Sequence, residues 1–405
     1  MIAKRAFVVS LALMFIRACG FSFAAPAFCA ARPVAHTDHE WVWNVPVVPP
    51  EGGWESDAGR SIRAALTWHE VEISESGSGV GGHDIHFEFL PPLDENTART
   101  VPLPVNARTA AVFSFAAPNV DRSLIERFWG NGVPLLLAGG EELLIDAGGR
   151  PVSNIFALDL FRDYRCEAFT LYAQKTLKPE ANVALAASRF TVDQEREAKI
   201  CYSLLDKAGF MPMPFWVDAS VRDTFHMMSE EVQDAADGVV ITFLGSMGAR
   251  EVWRNFMRVH TRWRIWNCTA PDNVYLSFRE MIFADQNLFL AKHGGFLDMK
   301  RRMWNTRVIQ VSDVVAGGRA EALTEWLKRA ISAIRPQPID KLNRAELLHE
   351  LERVSGIPFG SQKLDISPAL HRPAMRQVYI ADVQDRNYSL LDTVNVHGLV
   401  YEPGY

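Results

Sequence analysis

From residue 41 onward, short apolar runs alternate with longer stretches whose apolar positions recur every three or four residues. Trp41 to Val48 reads as a strand stopped by Pro49-Pro50, and Ile62, Ala65 and Leu66 give one face of a helix over Ala58 to Val71. Gly77 to Gly82 then turns the chain into a strand from Asp84 to Leu90. Thr109 to Phe115 predicts a further strand, Asp121 to Trp129 a helix, and Val133 to Ala138 a strand. The unbroken apolar run of that last strand suits a position covered on both faces.

The rhythm is clearer in the middle of the chain. Asn154 to Leu158 is extended, Tyr164 to Lys178 helical, Asn182 to Ala187 a strand, and Val192 to Ala208 a helix closed by Gly209. Pro214 to Val217, a helix over Thr224 to Ala236, a strand over Gly238 to Leu244 and a helix over Ala249 to Val259 follow. Residues 268–312 give no clear pattern. Beyond them lie amphipathic helices over Arg319 to Ile334 and Asn343 to Val354, the second with Asn343 as N-cap before Glu346. Gln377 to Val383 and Tyr388 to Val394 flank a polar turn and predict a hairpin. Strands alternating with helices predict an α/β protein with parallel sheets.

The first 31 residues break the pattern. Lys4 and Arg5 precede an apolar run from Ala6 to Ile16, and small residues follow, among them Ala25-Pro26-Ala27 and Ala30-Ala31. This is the layout of a cleaved secretory signal. The run is too short to span a bilayer and Arg17 interrupts it. Cys19 would be the anchor in a lipoprotein reading, but Arg17 and Ala18 make a poor lipidation context. An exported, periplasmic protein is therefore expected. Past the signal only Cys166, Cys201 and Cys268 remain. Three cysteines cannot all pair with one another, so they are buried thiols or one bridge plus a thiol.

With 48% hydrophobic and 22% charged residues the composition is that of a globular protein, and 405 residues suffice for two to three domains. A net charge of -6 without a long basic stretch argues against nucleic acid or an anionic membrane as partner. No GxSxG, HExxH, P-loop or CxxC pattern occurs, so neither catalysis nor a cofactor is expected. His36, Asp38, His39 and Glu40 make a small metal-like group beside the signal region, which reads better as a terminal segment.

Four segments, taken in order, resemble the branched-chain amino-acid-binding family of type I periplasmic solute-binding proteins. They are Gly53-Trp54 with the helix from Gly59 to Leu66; Ser78 to Ile85 with its glycines; Ala110 to Gly140 with Gly132-Val133-Pro134; and Phe359-Gly360, Leu364-Asp365, His371 and Gln377 to Ile380. The resemblance implies two Rossmann-like lobes joined by a multi-crossing hinge. One would hold residues 41–157 with about 285–355, and the other 158–284 with about 356–405. It also implies a non-enzymatic role: a monomer that captures a small polar solute between the lobes and delivers it to an ABC permease.

Under that resemblance the ligand-facing positions are Trp54, Asn119, Gly140, Glu141, Asp159, Phe190 and Ser246. Trp54 would supply aromatic contact or pack on its own lobe; Phe190 would supply an aromatic and Ser246 a hydroxyl or amide, unless their loops are ordinary strand-to-helix turns; Gly140 lies in the loop before Glu141. Asn119 would donate its amide or cap a helix, and Asp159 would face the cleft or cap the next helix. Family members holding an amino-acid carboxylate place hydroxyls where this chain has Ala116-Ala117-Pro118-Asn119, and Glu141 lies where another hydroxyl is usual. A carboxylate there repels a ligand carboxylate; either both Glu141 and Glu142 are solvated on the rim, or the solute is not an ordinary α-amino acid held in the family's usual way but a neutral or cationic one. Two rival readings stand beside transport: a sensor that reports its occupancy to a membrane receptor, and a paralogue without a ligand. Between Leu90 and Thr109 the chain is polar and proline-containing where the family usually has a helix.

Overall fold

The computed structural model describes residues 42–139, 152–158, 164–179, 181–189, 192–217, 238–244, 263–268, 281–285, 311–334, 342–360, 362–384 and 387–397. The expected signal segment, the His36 to Glu40 group and the helices expected over 224–236 and 249–259 lie outside them.

The first half is built from β1 (Val42–Val48), α1 (Asp57–Glu75), β2 (Asp84–Phe89), α2 (Glu95–Thr100), β3 (Val112–Ser114), α3 (Pro118–Phe128), β4 (Leu135–Leu137) and β5 (Ile155–Ala157). Its five strands are parallel in the order β2-β1-β3-β4-β5. Every residue of β3, β4 and β5 is buried, as a strand with helices on both faces requires. The short helix α2 stands in the segment whose composition suggested none. It is started by a capping box, Asp94 accepting from the Thr97 N–H at 2.7 Å while the Thr97 hydroxyl accepts from the Asp94 N–H at 2.7 Å.

The second half repeats the plan. Its elements are α4 (Tyr164–Thr176), β6 (Asn182–Ala187), α5 (Val192–Lys207), β7 (Pro212–Trp216), β8 (Gly238–Thr242), β9 (Arg264–Asn267) and β10 (Met281–Asp285). The five strands are parallel in the order β7-β6-β8-β9-β10, the same winding as in the first half. A hairpin of β15 (Arg376–Gln384) and β16 (Asn387–Val396) extends this sheet antiparallel at β10. The strands β9 and β10 are the part that hydrophobic patterning left unread.

α6 (Val311–Ala333) returns the chain to the first half and packs along α1. It buries Leu323, Trp326, Leu327 and Ile331 in one core with Trp43, Val45 and Phe87. The Trp326 indole N–H donates to the Leu351 carbonyl at 2.9 Å, at the end of α7 (Arg344–Leu351). Asn343 caps α7 as expected, accepting from the Glu346 N–H. β11 (Ile357–Phe359), β12 (Gln362–Leu364), β13 (Ile366–Ser367) and β14 (Arg372–Pro373) form two small hairpins before β15. The chain thus passes between the halves three times: after β5, between β10 and α6, and between β14 and β15. No described helix is long and apolar enough to cross a membrane.

Candidate functional site at the strand ends

In a sheet wound in the order 2-1-3-4-5, the loops after strands 1 and 3 diverge to opposite faces and leave a crevice at the carboxyl edge. Both halves carry that order, so each has one crevice: between the β1 and β3 loops in the first, and between the β6 and β8 loops in the second.

The first crevice is shaped by glycine. Gly52 and Gly53 have φ of 84° and 70°, which lets the β1 loop double back onto α1. Ser56 caps α1, accepting from the Gly59 N–H at 3.0 Å and donating its hydroxyl to the Gly53 carbonyl at 2.7 Å. Trp54 is buried in this turn. Its indole N–H donates to the Leu90 carbonyl at 2.6 Å, its ring meets Phe89 edge-on at 5.0 Å, and the Arg63 guanidinium lies 5.3 Å above it. Its donor is therefore committed to its own half.

Across the crevice, the β3 loop is bare of hydroxyls. Ser114 at the strand end donates to the buried Asp121 carboxylate at 2.5 Å, so it faces α3. Asn119 does not cap α3. The cap is Ala117, which offers no side-chain bond, with Pro118 as the first helical residue. Asn119 is exposed one position further in. Proline at the first helical position needs no N–H partner and holds φ for the helix, and that displaces the asparagine from the capping position.

In the second crevice, Ser188 is buried and its N–H donates to the Gln194 side chain at 3.3 Å. Exposed Arg189 lays its guanidinium over the ring of Trp216, the last residue of β7, at 5.0 Å, on the side of β6 away from β8 and so beside the crevice rather than in it. Sequence reasoning noted Arg189 but passed over Trp216; its signal was an aromatic pair, Phe215-Trp216, at the carboxyl end of a strand. Gly140, Glu141, Asp159, Phe190 and Ser246 lie outside the described residues.

His371 and Arg376 bond the crossings together, and Arg372 is buried beside them in sequence. His371 adopts φ of 52°, the left-handed region. Its ring stacks on Phe156 at 4.6 Å, its Nδ1 lies 2.9 Å from the Val152 carbonyl, and its Nε2 lies 3.2 Å from the Glu352 carboxylate. Its own carbonyl accepts from the Ala157 N–H at 3.0 Å. Arg376 opens β15, with its guanidinium 4.3 Å above the Phe359 ring and one N–H donating to the Leu158 carbonyl at 3.4 Å. The end of β5, where the first crossing starts, is thereby bonded to the segment of the third crossing, the arrangement of a hinge rather than of two independent linkers.

The whole described architecture superposes on solved solute-binding proteins. An ABC transporter substrate-binding protein from Desulfitobacterium hafniense matches with a TM-score of 0.68 at 11% identity, covering 86% of this chain and 100% of its own. A leucine-binding protein from Thermotoga maritima matches with a TM-score of 0.60 at 11% identity, covering 87% and 98%. The fold is that of the type I periplasmic binding proteins. A solute-binding protein of an ABC transporter from R. palustris, solved in complex with 4-hydroxybenzoate, shares this fold with a TM-score of 0.63 at 14% identity, covering 87% and 97%. No family model matches the sequence, and no curated protein matches it. The type I periplasmic-binding fold thus persists here on a sequence in which few of the residues of these neighbours remain.

Proposed function

We propose that the chain is an extracytoplasmic solute-binding protein that captures a small polar solute between its two halves and presents it to an ABC permease. The observation that carries the reading is the pair of identically wound sheets joined by three crossings, with carboxyl-edge crevices in both halves. Similarity over nearly the full length of several ABC-transporter binding proteins supports it. The reading includes the N-terminal signal segment and a monomer. Gly140, Glu141, Asp159, Phe190 and Ser246 are proposed to complete the lining.

The described edges also bear on the kind of solute. The first half offers Ala116 and Ala117 where an amino-acid carboxylate would need hydroxyls, and its nearest serine is engaged by Asp121. In the second half, Arg189 of the β6 loop rests on Trp216 of the edge strand β7. The missing hydroxyls argue against an α-amino acid held in the usual way, and Arg189, drawn toward β7 by Trp216, stands at the rim of the second crevice. A thermal-shift panel of amino acids, amides, polyamines, aromatic carboxylates and fatty acids tests this. At least one non-amino-acid class is expected to raise the melting temperature in a saturable way. Tight binding of leucine-type amino acids would overturn the solute class, and a panel without a hit counts against transport.

A further inference from the structure

Three thiols meet inside the second half. Cys166 lies in the first turn of α4, Cys201 in α5, and Cys268 directly after β9; all three are free and buried in one apolar core. Two contacts fix their placement. The Cys166 Sγ lies 3.5 Å from the Glu197 carbonyl. That carbonyl sits one helical turn before Cys201 and points along the axis toward it, so the sulfur rests on the Cys201 face of α5. Beside it, the Arg165 guanidinium donates to the Cys268 carbonyl, which brings the same turn of α4 to the end of β9. The Cys166 side chain interacts with both other thiols.

A metal is a poor occupant: among the described residues no group of three or more His, Cys, Asp or Glu side chains could hold one. Thiol–disulfide chemistry remains. We propose that the three cysteines are a disulfide-forming cluster in which Cys166 is the shared partner, bonding to Cys201 and leaving Cys268 as a thiol. The step needs a disulfide oxidant, which an oxidising compartment provides; that the chain reaches such a compartment rests on the export reading. The Cys166 thiolate attacks one sulfur of the oxidant, breaking its S–S bond and expelling one thiolate. The Cys201 thiolate then attacks the Cys166 sulfur of the mixed disulfide and expels the second. Two protein thiols lose two electrons and two protons, and the oxidant becomes two thiols.

Burial pushes all three thiols up from their ordinary values. Thiolate is therefore scarce once the core has closed, and the bond forms while α4 and α5 are still docking.

The test is oxidative refolding of the full chain. Reduced, denatured protein is refolded in mixed oxidised and reduced glutathione, denatured again, alkylated and mapped by peptide mass spectrometry. A linked Cys166–Cys201 peptide pair with Cys268 alkylated is expected. Cys268→Ser keeps that link, whereas Cys166→Ser yields no link between Cys201 and Cys268. Three alkylated cysteines, or any bridge in place of Cys166–Cys201, overturns the proposal. The wild-type peptide map is decisive even where a variant fails to fold, and refolding in vitro separates it from the question of export.

Discussion

At Gly59 a Cβ would meet the Gly53 carbonyl and come within 2.7 Å of the Trp54 Cα, both parts of the backbone that folds the β1 loop onto α1. Nothing there can turn aside, so Gly59→Ala must push the loop off the helix. A loss of about 3 kcal/mol is expected, read as a lower urea midpoint. Gly77→Ala is the control: with φ of 67° and nothing within 4 Å, it carries only the left-handed backbone cost of about 1–2 kcal/mol.

Two histidines at the same helix respond to pH in opposite senses. Burial holds His69 below its ordinary value of 6.5, with Lys328 adding to the effect against Glu325 and Glu72. The unfolded chain takes up the proton that the folded one refuses, so stability from His69 is present above about pH 6.5 and is lost as pH falls toward its lowered value. The bond from Glu70 holds His86 above 6.5, helped by the charges of Glu70 and Glu88 against partial burial. Its contribution is full below about pH 6.5 and is lost as pH rises through the raised value. His86→Gln should therefore cost more stability at about pH 5.5 than at about pH 7.5, and urea melts at the two pH values check it. Equal losses at both would show that the Glu70 contact carries no proton linkage.

Among the helices whose N-caps are described, α3 alone has no side-chain cap. Its cap, Ala117, leaves the first amides without a side-chain acceptor. Ala117→Ser is expected to raise stability by about 1 kcal/mol, measured by urea denaturation. No gain would mean that the β3 loop holds the cap residue away from the amides. This helix also shows where periodicity stops being informative. Leu124, Ile125 and Phe128 revealed its buried face, but its start depended on Pro118, and reading Asn119 as the cap moved the boundary inward. β6 was legible to the residue, because an apolar run between a lysine-proline turn and a polar helix admits no other reading. β9 and β10 were not legible. Four- and five-residue strands with interspersed charge carry too little pattern, and β10 takes one of its partners, β15, from near the end of the chain. α2 was missed because a capping box, not an apolar face, starts it.

For the whole molecule, element order gave an α/β protein with parallel sheets and a closing hairpin, while the two halves and the multi-crossing hinge came from the family resemblance. Part of the site was beyond that reasoning. Trp54 stood in the right loop, yet nothing in its neighbours announced that Leu90, 36 residues on, would take its indole N–H. His371 stood among the residues that carry the resemblance, but Arg372 and Arg376 look like ordinary polar residues, and the burial of Arg376 follows from its contact with the end of β5. The crossings lie between two sheets of the same winding, which is the arrangement that permits hinge closure over a solute. Small-angle scattering on the purified protein, with and without a saturating solute from the thermal-shift panel, tests that closure directly. A smaller radius of gyration with the solute bound is predicted; an unchanged radius despite saturation would contradict it.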